Sequence, residues 1–168
     1  IRFVIDPMVE RHLKTALEYK DQISKLVASV PTAARQYSNS VYLVIRESLA
    51  QATEARLRRI NAIAKRGTYS EDEALFDLTQ AYLRGAVLSF HFYESLGGLE
   101  KVGIGMEDFF DHMVGNVKFD REAGRKTEFE AVVARVSARR SKPSRTNSGE
   151  GAAAEAVMGA MAARILKS

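Results

Sequence analysis

Residues 70–98 read SEDEALFDLTQAYLRGAVLSFHFYESLGG. The opening Ser70-Glu-Asp-Glu73 has the form of a capping box. The serine hydroxyl accepts from the Glu73 amide while the glutamate reaches back to the Ser70 amide. Between Tyr82 and Tyr93 the stretch is apolar nearly all round. A helix with no polar face is one buried against several neighbours. The stretch predicts a central helix, ended by Gly97 and Gly98, in an all-α protein.

The flanking sequence agrees in kind. Upstream, Asp6 and Pro7 suit an N-cap and a first helical position. Val9, Leu13, Ala16, Leu17, Ile23, Leu26, Val27 and Val30 then recur at three- and four-residue steps up to Pro31. A second helix is expected from about Thr32, with Tyr37, Val41, Val44, Ile45, Leu49, Ala52, Ile60 and Ile63 facing inward. Lys65, Arg66 and Gly67 close it, with the glycine as the left-handed terminator. Downstream, GMEDFFDHMVGN reads as a short helix or turn, and DREAGRKTEFEAVVARVSARR as a longer helix with Phe129, Val132, Val133 and Val136 inside. There is no internal repeat and no period-two pattern beyond Phe3–Ile5. The expectation is an antiparallel bundle of about four to five helices over 1–136, with 137–168 as a basic linker and a tethered C-terminal helix.

Composition bounds the functional classes. The chain has 168 residues, 46% of them hydrophobic, enough for a real core. Only three prolines and eleven glycines punctuate it. With no cysteine, thiol catalysis, disulfides and cysteine metal sites are excluded. That composition is compatible with a reducing compartment such as cytoplasm, virion or mitochondrial matrix. No apolar run approaches the roughly 20 residues of a membrane span, so a soluble or peripheral protein is expected. The chain opens on Ile1, as it would after removal of a presequence or where a numbering simply begins.

No catalytic constellation is legible. There is no nucleophile elbow and no phosphate loop. His91, Glu94 and His112 are the one set that could suggest a metal. However, di-metal bundles use paired Glu-x-x-His, and His91-x-x-Glu94 runs the other way. Neither a metal nor a cofactor is expected, and the chain reads as a non-enzyme.

Basic residues carry the most usable signal. Between Lys118 and Arg145 there are nine against four acids, an excess of five in a chain of net charge +4. Arg121, Arg125, Lys126, Arg135, Arg139, Arg140, Lys142 and Arg145 are the candidate contacts to nucleic acid or an acidic partner. A second cluster is Arg56, Arg58, Arg59, Lys65 and Arg66. No stacking aromatics accompany the arginines, so any such binding would follow the phosphate backbone and weaken with salt. Beyond the Ser/Pro/Gly-rich stretch 141–151, Val157, Met161, Ile165 and Leu166 form a thin stripe suited to docking on a neighbour.

The sequence thus points to a non-enzymatic structural subunit of a large assembly, packing on copies of itself or on other subunits and offering basic faces to nucleic acid. An organellar ribosome, a respiratory complex and a helical nucleocapsid are settings of that kind. A free-standing nucleic-acid-binding or regulatory helical protein is the alternative, and a helical-bundle metalloenzyme the third reading.

Overall fold

The computed structural model describes residues 1–141, and no strand occurs among them. The described helices in chain order are α1 (Arg2–Arg11), α2 (Leu13–Leu17), α3 (Lys20–Ala28), α4 (Arg35–Ser38) and α5 (Val41–Ala64). They continue with α6 (Glu71–Arg84), α7 (Ser89–Val102), α8 (Met106–Gly115), α9 (Phe119–Gly124) and α10 (Lys126–Ser141). The all-α bundle expected from sequence is what forms. Ile1–Val136 make one compact unit.

The central stretch begins as expected. Ser70 Oγ accepts from the Glu73 amide at 3.3 Å, and Glu73 Oε2 accepts from the Ser70 amide at 2.8 Å. It does not continue as one helix. Gly85 adopts φ +119°, a conformation only glycine enters freely, and the Ala86 amide donates back to the Ala81 carbonyl at 3.0 Å. The chain reverses and α7 starts at Ser89. Gly97 and Gly98 lie inside α7, whose terminator is Gly103 at φ +74°. The apolar run does signal burial: Tyr82, Val87, Leu88 and Phe92 are all fully buried.

The N-terminal segment departs further from expectation. Helix α1 starts at Arg2 and carries Pro7 inside it. Asp6 is therefore not an N-cap; its Oδ1 lies 2.9 Å from Arg46 Nε on α5. Breaks at His12 and Tyr19 divide the expected long helix into α1, α2 and α3. The second helix starts at Val41, capped by Ser40, whose Oγ accepts from the Leu43 amide at 3.2 Å. At its far end Arg66, not Gly67, takes the left-handed conformation, with φ +52°. The Gly67 amide then donates to the Ala62 carbonyl at 2.7 Å.

Helix α5 is the axis of the unit, in contact with α1, α2, α3, α4, α6 and α7. Arg59 reaches Glu71 near the start of α6 and Arg58 reaches Asp77 further along it, so α5 and α6 are antiparallel. The Leu88 amide donates to Ser48 Oγ at 3.1 Å, and Arg56 pairs with Glu100, so α5 and α7 run parallel. Ile45 and Leu49 of α5, Leu78 of α6, Phe92 of α7 and Phe110 of α8 meet in one core. Each such side chain, fully buried, stabilises by about 1.5–3 kcal/mol. Helix α10 adds Phe129, which stacks on Phe90 (5.6 Å between ring centres) and meets the edge of Tyr82 (5.1 Å).

Candidate functional site

The basic face expected between residues 118 and 145 is divided by the break between α9 and α10 at Arg125. Its cations point at different internal partners. Glu94 of α7 is the anchor: Arg121 Nη1 lies 2.9 Å away and Arg125 Nη2 2.7 Å away. Arg125 also pairs with Glu122 at 3.2 Å and lies over the Phe90 ring at 5.1 Å. Lys126 Nζ donates to the Ser29 carbonyl at the end of α3. Arg135 Nε lies 3.1 Å from Asp72 in the first turn of α6. At 4% exposure Arg125 cannot meet a phosphate backbone; it is a structural cation. Arg121 and Arg135 are exposed but held by carboxylates. Arg139 and Arg140 are exposed in the last turn of α10. Lys142, Arg145, Val157, Met161, Ile165 and Leu166 lie outside the described residues.

The Arg125 cluster is the most polar part of the interior. Glu122 is 1% exposed, and its Oε2 has no hydrogen-bond partner. Burial pushes its carboxyl above the ordinary value, with Arg125 opposing. Tyr82 donates its hydroxyl to the Glu122 carbonyl at 2.8 Å, and burial raises that phenol to about 12. His91 Nε2 lies 2.7 Å from the Met113 carbonyl, and burial lowers its pKa. His91, Glu94 and His112 do not converge. Glu94 is occupied by arginines, and His112 packs on Phe109 and meets the Asn116 amide. Among the described residues no three His, Cys, Asp or Glu side chains gather as metal ligands would.

The second basic cluster behaves like the first. Arg56 grips Glu100 through both carboxylate oxygens and lies over Tyr93 at 5.1 Å. Arg58 is held by Glu54 and Asp77, and Arg59 by Glu71 and the Tyr69 carbonyl. These arginines clamp α6 and α7 onto α5. Lys65 and Arg66 do not take part; they stand exposed at the end of α5.

At that same end lies a surface the sequence pattern does not announce. Ile60 and Ile63 continue the stripe of Ile45, Leu49 and Ala52, and that periodicity puts them inside. They are exposed instead, Ile63 at 68%. The Arg56–Glu100 pair marks where α7 is about to end, so the last two turns of α5 run past its cover. Leu57, Val102 and Ile104 are exposed at this end as well, Val102 at 65%. Lys65, Arg66 and Lys101 lie on these same segments. None of the three has an ion-pair partner among the described residues, whereas the arginines one or two turns earlier do. No sequence signal marks this, because it follows from the break at Gly85, which leaves α7 with 14 residues beside the 24 of α5.

No family model, no curated protein and no solved structure matches this chain. Among the described residues no helix is long and apolar enough to cross a membrane.

Proposed function

We propose that this chain is a non-enzymatic structural subunit that packs into a larger assembly through the shared end of α5 and α7. One observation carries the reading: Leu57, Ile60 and Ile63 in the last turns of α5, and Val102 and Ile104 at the end of α7, are all exposed large apolar side chains. Several exposed large apolar side chains at the ends of two parallel helices are what an interaction site offers. Lys65, Arg66 and Lys101, at the same helix ends and without an ion-pair partner among the described residues, fit an acidic subunit better than a second copy, which would bring the same cations together. The reading of 137–168 as a docking extension rests on sequence alone.

Nucleic acid has less support on this geometry. Arg121, Arg125, Lys126 and Arg135 are engaged within the fold, so these four do not form a row of free cations for a phosphate backbone.

The test is the size of the protein as isolated, by light scattering, with the 260/280 nm absorbance ratio read across the peak. The expected result is a large particle free of nucleic acid that falls apart when Ile60 and Ile63 are both changed to serine. A particle that collapses on nuclease treatment moves the function to the arginines. A clean monomer sinks the assembly reading.

A further inference from the structure

On the opposite stretch of α5, near its start, lies a polar cleft of about 380 Å³. Its walls come from α1, α4, α5, the last turn of α6 and the turn that follows it. Arg2, Arg46 and Arg84 line it, with Glu47 as the one carboxylate, and Gln36, Tyr37 and Gln51 complete the polar lining. Two of the arginines are held in place. Arg2 Nη2 donates to Glu47 Oε2 at 2.9 Å, and Arg46 sits between Asp6 at 2.9 Å and Glu47 at 3.6 Å. The third, Arg84, is the last residue of α6 and has no ion-pair partner among the described residues. Arg46 Nε is buried, and despite its closeness to Asp6 it makes no well-directed hydrogen bond.

The cleft wall is rigid for a local reason. Tyr37 packs close against Gly85, its ring carbon Cδ2 only 2.5 Å from where a side chain at that position would begin. The glycine that reverses the chain after α6 also seats the tyrosine, and the Ala34 amide donates to the Arg84 carbonyl at 3.0 Å. Both contacts fix α4 against the end of α6, so the residues facing the cleft from the two sides are held in register.

Gln51 and Arg84 also border a second recess of about 250 Å³, lined by Glu54, Arg58, Tyr69, Asp77 and Gln80. There the charges cancel internally: Arg58 pairs with both Glu54 and Asp77, and Tyr69 donates to Asp77 at 2.7 Å. The first recess therefore carries an excess of positive charge, and the second is polar without an excess of either sign.

We propose that the first recess binds a small anion, a carboxylate or phosphate group, with Arg84 as its principal cation and the second recess receiving any neutral polar remainder. Arginine is suited to this because its planar fork donates two parallel hydrogen bonds to either group. Glu47 and Asp6 keep Arg2 and Arg46 in position, and the two side-chain amides supply further donors. The site is independent of the apolar end of α5 and stands or falls without it.

The experiment is a nuclear magnetic resonance titration of the full chain with inorganic phosphate and, separately, with succinate, each against sodium chloride at matched ionic strength. The expected result is saturable movement of the Gly85, Ala86 and Gln51 amides with at least one of the two anions and not with chloride. Arg84→Gln should weaken binding by about tenfold or more while leaving the helical circular dichroism unchanged. Arg121→Gln, on a helix that does not line the cleft, should leave it intact. Response to phosphate alone identifies a phosphate site, and response to succinate alone a carboxylate site. Shifts no different from those with chloride, or equal binding by Arg84→Gln, overturn the proposal.

Discussion

Arg125 and Glu122, one turn apart across the break between α9 and α10, form a buried ion pair at 3.2 Å in which both side chains are almost wholly withdrawn from water. The guanidinium is satisfied several times over, by Glu94, Glu122 and the face of Phe90, whereas Glu122 Oε2 has nothing. The pair joins the α9–α10 corner to α7. It does so at the cost of an incompletely satisfied carboxylate, and that asymmetry decides how each residue responds to substitution.

Replacing Arg125 by methionine should destabilise the fold by about 3–5 kcal/mol, because Glu122 is then a buried charge without a counter-ion. Glu122→Gln should cost far less at neutral pH, and Glu122→Leu with Arg125→Met should recover most of the loss. Urea unfolding of the three variants measures this. An Arg125→Met protein as stable as the wild type would mean that the residue is not structural and would return it to the surface cations.

The same cluster predicts a pH dependence with two opposing parts. The Glu122 carboxyl is raised above 4.5 chiefly by burial. Its contribution is therefore fully present below the unfolded value and is lost as pH rises through the folded one. The His91 imidazole is lowered below 6.5, again chiefly by burial. Its contribution is present above 6.5 and is lost as pH falls through the folded value. Glu122→Gln should accordingly gain on the wild type as pH is raised from about 4 to 7, and His91→Gln should flatten the decline on the acid side of neutrality. Urea midpoints across that range check both. A Glu122→Gln variant that loses ground on the wild type as pH rises would reverse the assignment.

Local chemistry is legible in the sequence; long-range pairing is not. The Ser70–Glu73 box forms as expected because all its partners lie within four residues. Gly85 escapes a hydrophobicity pattern because averaging across it hides a single left-handed residue. Gly97 looks like a stop because the sequence does not show that a Cβ there would fall 3.3 Å from the Arg56 guanidinium. Asp6 looks like a cap, but Arg46, forty positions away, claims it. The arginines of 118–135 suggest a free cationic face for the same reason. Their partners Glu94 and Asp72 lie 27 to 63 residues upstream and come opposite only when the helices pack.

The end of α5 offers a gain in stability. Arg66 holds φ +52°, which costs a residue with a side chain about 1 kcal/mol or more relative to glycine. Arg66→Gly should therefore stabilise the protein by up to about 1 kcal/mol, less the extra chain entropy glycine has when unfolded, raising Tm by about 2–4 °C at most. Calorimetry is the check. A lower Tm would show that the Arg66 side chain contributes contacts worth more than the backbone strain.

Gly85 should tolerate no such exchange. At φ +119° an alanine is strained, and its Cβ would fall 2.5 Å from the Tyr37 ring. Strain of about 1–2 kcal/mol and overpacking of about 1–3 kcal/mol add in the same direction. Gly85→Ala should thus lower stability by about 2–5 kcal/mol, and Tyr37→Ala in the same chain should restore the overpacking part but not the strain. The double-mutant cycle, followed by urea unfolding, separates the two terms. The cleft responds to the same change: if Tyr37 is displaced, the wall facing Arg84 moves, and Gly85→Ala should weaken anion binding while leaving the charge of every lining residue unchanged. Anion binding unaltered by Gly85→Ala would show that the tyrosine wall is not what positions Arg84.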